Sequence, residues 1–162
     1  MPRGSDRLRK GILVSVISSV IILFDYITKR IIVEKVLLHD YIDLLPFLRI
    51  VHVENKGAAF GLFTQFGNHI FILISVCAII CIVAYLIRLP IGLELYSLSL
   101  ILGGAIGNLI DRIRIGKVID FVDVYVGNWH WPAFNVADSA LTVGIILFLI
   151  ASLKAGRHSK GT

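Results

Sequence analysis

A chain of 162 residues that is 57% hydrophobic and only 17% charged, with a mean hydropathy of +0.86, carries more apolar surface than a water-soluble domain of this size can hide. Lipid must cover the excess, and the formal net charge of +5 then points to anionic headgroups and topology control. No Lys/Arg-rich block interleaved with aromatics occurs, which speaks against a nucleic-acid partner.

Residues Met1-Pro2-Arg3-Gly4-Ser5 read as the remnant of a protease-cleavable tag and are set aside from the fold. The first apolar run, Gly11 to Val33, is interrupted by Asp25, Lys29 and Arg30. It is too long for a signal-peptide core and lacks a small-residue cleavage site, so it is expected to remain as a membrane anchor. Residues 34–69 contain Phe47 to Glu54, β-branched and partly alternating, which predicts one or two strands ending in the turn Asn55-Lys56-Gly57. A second span, Ile70 to Ile87, holds no charge. Its Cys77 and Cys81 lie one helical turn apart and read as buried apolar fillers. After the break Arg88-Leu89-Pro90 comes a third span, Ile91 to Ile110. Residues 113–135 include the strand-like Val122 to Val126 and the pair Trp129 and Trp131, typical of a membrane–water interface. The fourth span runs from Val136 to Leu153. With no internal repeat, residues 1–162 are read as one membrane domain, both termini cytoplasmic and both long connections facing outward.

Carboxylates near hydrocarbon are costly, and Asp25, Asp111, Asp120, Asp123 and Asp138 all fall toward the outward ends of spans. Asp25 and Lys29, four apart, can pair on one helix face; an ion pair that offsets burial and a supporting role at a site are both compatible with this. The third helix carries two stripes spaced by four, Ser99-Gly103-Gly107-Asp111 and Gly104-Asn108-Arg112. Their glycines read as helix-packing positions, and Asp111 and Arg112 as structural groups bonding chain ends and each other. Asp138 has two readings. It can close a capping box with Asn135, or it can form half of a carboxylate pair with Asp120, the two sharing one proton and activating a water. Metal and serine chemistry fare worse: no His-x-x-x-His or Gly-x-Ser-x-Gly occurs, no group is placed to activate Ser139, and His130 beside Trp131 reads as interfacial.

Five blocks in order resemble the lipoprotein signal peptidase (signal peptidase II) family: Asp25-Tyr26-Ile27-Thr28-Lys29; Asn55-Lys56-Gly57-Ala58-Ala59-Phe60-Gly61; Gly103 through Arg112; Gly116-Lys117-Val118-Ile119-Asp120-Phe121; and Pro132 through Ser139. The resemblance implies an all-α bundle of four transmembrane helices with a small extracytoplasmic β-sheet platform and a short loop or helix over the site. It implies an intramembrane aspartic endopeptidase of the bacterial inner membrane, a globomycin target, that cuts diacylglyceryl-modified prolipoproteins just before the lipidated Cys. Asp120 and Asp138 match the catalytic pair. Asn55, Asn108, Arg112 and Asn135 match polar residues lining the site, with Asn55 and Asn135 suited to bind substrate backbone, and Asp25, Lys29 and Asp111 match supporting residues. No metal or cofactor is expected. The expected partners are membrane lipids and the lipidated substrates, the working unit being a monomer. Two other readings stay open from the residues alone: a small proton-coupled transporter, which would place its acids near the midplane, and a non-enzymatic assembly factor docking through Gly103 and Gly107.

Overall fold

The computed structural model describes residues 4–57 and 67–159. Its elements in chain order are α1 (Gly4–Lys35), β1 (Tyr41–Leu45), β2 (Leu48–Asn55), α2 (Gly67–Leu86), α3 (Leu93–Ile115), β3 (Val118–Val126), β4 (Trp129–His130) and α4 (Val136–Ser159). All four helices are long and apolar enough to cross a membrane. The expected four-span bundle with a small sheet is therefore borne out, and 34–57 supplies two strands. Helix α1 starts at Gly4, inside the stretch set aside as a tag remnant, so Gly4 and Ser5 belong to its first turn. The short loop or helix expected over the site, and residues 58–61 of the second block, lie outside the described residues.

Helix α3 is the hub, packing on α1, α2 and α4. It is the least apolar span, at a mean hydropathy of 1.5 against 2.1 to 2.7 for the others, yet it is the most buried. In a bilayer a buried helix need not be greasy; it must be small where its neighbours approach. Its two stripes divide that task. On one face Ser18 Oγ donates to the Ser99 carbonyl at 2.8 Å, and a Cβ at Gly103 would meet Ile21 Cβ at 2.9 Å and the Ser18 carbonyl at 3.0 Å. A Cβ at Gly107 would meet Asp25 Oδ2 at 2.9 Å. On the other face a Cβ at Gly104 would overlap the Ala137 carbonyl oxygen of α4.

Cys77 and Cys81 are exposed, not buried as expected. Among the helices α2 packs principally on α3, which leaves most of its surface, both thiols included, facing outward. At the end of the bundle away from the sheet, Leu86, Leu89, Leu95, Leu98 and Leu102 form an apolar core. There Lys10 Nζ donates to the carbonyls of Ile87 and Leu89 at 2.7 and 2.8 Å, satisfying groups that the end of α2 leaves open.

The sheet is antiparallel in the order β1-β2-β3-β4. It docks on the bundle where Ile32 and Val36, at the end of α1, pack with Ile119 and Phe121 of β3. Gly116 ends α3 in the left-handed conformation (φ 75°), its N–H donating to the Arg112 carbonyl at 3.2 Å, and the chain turns directly into β3. Strand β3 begins at Val118, four residues before the strand-like stretch expected, so Asp120 sits on a strand.

Candidate active site

Three connections converge on one polar cluster. The register pairs Val53 with Asp120 and Asn55 with Val118, which sets the Asn55 side chain beside the Asp120 carboxylate. Asn55 Nδ2 donates to Asp120 Oδ2 at 3.0 Å, while its Oδ1 accepts the Gly57 N–H at 2.9 Å in a local turn. Asn135, just before α4, donates from Nδ2 to Asp120 Oδ1 at 2.7 Å.

Asn135 and Asp138 form a reciprocal capping box. The Asp138 N–H donates to Asn135 Oδ1 at 2.9 Å and the Asn135 N–H to Asp138 Oδ2 at 3.3 Å. The box does not exhaust Asp138, whose Oδ1 accepts Asn108 Nδ2 at 2.7 Å. The two readings of Asp138 are thus compatible, because a carboxylate has room for a cap and for a second task. One residue, Asn135, touches both carboxylates. It is fully buried, with Oδ1 occupied by the cap and Nδ2 facing Asp120, Asn108 Oδ1 and the Ile119 carbonyl. No donor is left over for a substrate backbone, so of the two asparagines given that task only Asn55 retains access to the cavity described below. Asn135 instead holds the two acids in place.

Behind this cluster Lys29 Nζ lies 2.7 Å from Asp25 Oδ2, 2.8 Å from Asp111 Oδ2 and 3.1 Å from Asn108 Oδ1. All three partners turn their oxygens to one buried ammonium, the arrangement that makes a buried charge tolerable. Asp25 is ten residues from the end of α1 rather than at it, since α1 runs on to support the sheet. There its Oδ1 accepts the Ala137 N–H at 2.9 Å, satisfying an open donor in the first turn of α4. Asp111 also accepts the Ile119 N–H at 3.4 Å. The expected contact between Asp111 and Arg112 is not formed, because successive residues on a helix point about 100° apart. Asp111 turns to α1, whereas Arg112 reaches the Gly57 carbonyl at 3.5 Å and lies 5.3 Å over the Phe71 ring.

Asp123 stands apart from the cluster. Directly across from Arg49 in the sheet, it bonds the Arg49 Nε at 2.6 Å and His130 Nδ1 at 3.0 Å, and His130 stacks on Tyr125. His130 thus has a sheet-stabilising partner that its neighbour Trp131 does not announce in the sequence.

A cavity of about 770 Å³ opens onto the polar cluster. Asn55, Asn108, Arg112, Asp120 and Asp138 form its polar end. Apolar residues of α2 and α4, among them Ile74, Ala78 and Leu141, line the remainder. Trp131, Pro132 and Phe134 add a wall that spacing arguments did not single out, although the Pro-Ala-Phe-Asn run carried the signal. Burial first, then the charge of Asp138, push the Asp120 carboxyl up to about 7, against the pull of the Asn55 and Asn135 donors and of Lys29. Among the described residues no group of three or more His, Cys, Asp or Glu could hold a metal ion.

The family model for signal peptidase (SPase) II matches residues 17–154. The lipoprotein signal peptidase of Thermodesulfovibrio yellowstonii is 45% identical over 134 residues, covering 83% of this chain and 90% of that protein. The lipoprotein signal peptidase of Janthinobacterium sp. (strain Marseille) is 43% identical over 143 residues, covering 85% and 86%. Two solved bacterial membrane enzyme structures, obtained by the in meso method at 2.3 and 1.9 Å resolution, superpose with TM-scores of 0.81 and 0.79. Each is 35% identical and covers 87% of this chain, which spans 87% and 92% of theirs. Family model, relatives and folds agree: the chain is a multi-pass bacterial membrane peptidase and belongs to the signal peptidase II family.

Proposed function

We propose that the chain is an aspartic endopeptidase that removes the signal peptide from diacylglyceryl-modified prolipoproteins, cutting just before the lipidated Cys, with Asp120 and Asp138 as its catalytic pair. The observation that carries this reading is a single residue, Asn135, bonded to both carboxylates at the polar end of a cavity whose remaining walls are apolar. Lipoprotein signal peptidases are its relatives, and their name gives the substrate class.

The division of labour follows from the environment of each acid. Asp120, raised to about 7, holds the shared proton near neutrality and donates it to the scissile carbonyl oxygen or the leaving amine. Asp138, held by Asn108 and the α4 cap, takes a proton from the attacking water. Arg112, facing the cavity between the acids and Gly57, offers a fixed positive charge for the oxyanion. Asn55 stays accessible enough to meet substrate backbone, whose polar groups must be satisfied wherever lipid surrounds them. The apolar walls of α2 and α4 take the acyl chains. Both termini are cytoplasmic in this reading, and the site lies at the outer face of the inner membrane, where an exported precursor arrives.

The test presents a purified diacylglyceryl-modified prolipoprotein to the wild-type protein and to Asp120→Asn and Asp138→Asn, with mass spectrometry of the products. A new N-terminus at the lipidated Cys, lost in each variant and blocked by globomycin, is expected. Cleavage elsewhere, or turnover by either folded variant near the wild-type rate, overturns the assignment.

A further inference from the structure

A second cavity, of about 440 Å³, lies on the far side of the Lys29 network from the carboxylate pair, with Lys29 and Asp111 as its back wall. The last turns of α1, the end of α3, the end of β2 and the start of β3 enclose it. Four cations, Lys29, Arg30, Arg114 and Lys117, face two acids, Glu54 and Asp111. Their charges are not equally spent. Lys29 is consumed by Asp25 and Asp111, and Lys117 is paired with Glu54. Arg30 meets Glu34 only on the exposed side, where such a pair is weak. Arg114 lies 5.3 Å over the Tyr26 ring and has no carboxylate in ion-pair range among the described residues.

We propose that this cavity binds the phosphodiester headgroup of an anionic phospholipid through Arg30 and Arg114. Guanidinium groups present paired donors that match phosphate oxygens. Both arginines sit within a turn or so of the ends of membrane-spanning helices, the level at which headgroups lie. The mouth is continuous with apolar surface, since Val33 and Ile115 of its lining are both exposed, so a phosphate carrying acyl chains has a place for them that a free anion does not need. The proposal is independent of the carboxylate pair and stands or falls without it.

The full chain, purified in detergent, is equilibrated with phosphatidylglycerol and phosphatidylcholine of equal chain length, and retained lipid is counted by native mass spectrometry. Phosphatidylglycerol should be retained at least about fivefold over phosphatidylcholine, and Arg114→Gln should lower its retention about fivefold, the effect of one interfacial cation. Arg114→Lys, which keeps the charge but not the paired donors, should fall between wild type and Arg114→Gln, and Arg88→Gln, at the opposite end of the bundle, should change nothing. Equal retention of the two lipids, or an equal loss in Arg88→Gln, overturns the proposal. So does displacement of phosphatidylglycerol by millimolar inorganic phosphate, which would mark a free-anion site. If Arg114→Gln does not fold, a photoreactive phosphatidylglycerol on the wild-type chain decides: crosslinks within residues 26–33 or 113–117 support the site, and crosslinks elsewhere refute it.

Discussion

The two faces of α3 use the same spacing for different ends. Over their glycines they are alike: Gly103 and Gly107 let α1 approach, and Gly104 lets α4 approach. They part in the last two turns. Toward α1 the stripe ends in Asp111, which shares the Lys29 ammonium with Asp25 inside one buried cluster. Toward α4 it ends in Asn108 and Arg112, which face a cavity and two acids that have no cation in ion-pair contact among the described residues. Buried carboxylates that share a cation hold helices together; buried carboxylates without one, next to open volume, are available for proton transfer.

If that contrast is right, changes toward α4 should remove turnover and changes toward α1 should remove stability. The largest effect is expected for Asp138→Asn, a loss of cleavage on the order of 10⁴-fold or more with the melting temperature nearly unchanged, read by peptide cleavage and thermal unfolding in the same detergent. Next comes Lys29→Met, which strands two buried carboxylates and should cost roughly 3–5 kcal/mol of stability. A Lys29→Met protein with wild-type melting but no activity would break the contrast. Gly104→Ala follows at roughly 1–3 kcal/mol, and should exceed Gly103→Ala because its new methyl comes nearer to the Ala137 backbone carbonyl than a methyl at Gly103 comes to that of Ser18. Smallest is the shift in Asn55→Ala. The Asn55 donor favours ionised Asp120, so its removal should hold the shared proton to higher pH. The alkaline limb of cleavage, near pH 7 in the wild type, should then move upward by less than about one unit. A downward move would reverse the roles assigned to the two acids.

Some of this was legible in the residues. Span number followed from apolar run length, the Asp25–Lys29 pair from the helical repeat, and the Asn135–Asp138 cap from a spacing of three. Other features were not. The exposure of Cys77 and Cys81 was misread because apolar surroundings in sequence do not distinguish lipid from protein interior. Asp111 was matched to its chain neighbour, although its partner sits on α1. Asp123 looked like one more acid of the cluster, and only strand register shows it committed to Arg49 and His130.

Local pattern thus determined the membrane class, the helices and their caps, because length, hydropathy and short-range periodicity act within a few turns of one segment. Which acids are neutralised and which stay poised was decided by tertiary structure alone. Proton affinity depends on burial and on charges and donors a few ångströms away, and here those groups come from α1, β2, α3, β3 and α4, which meet only when the bundle and its sheet are assembled.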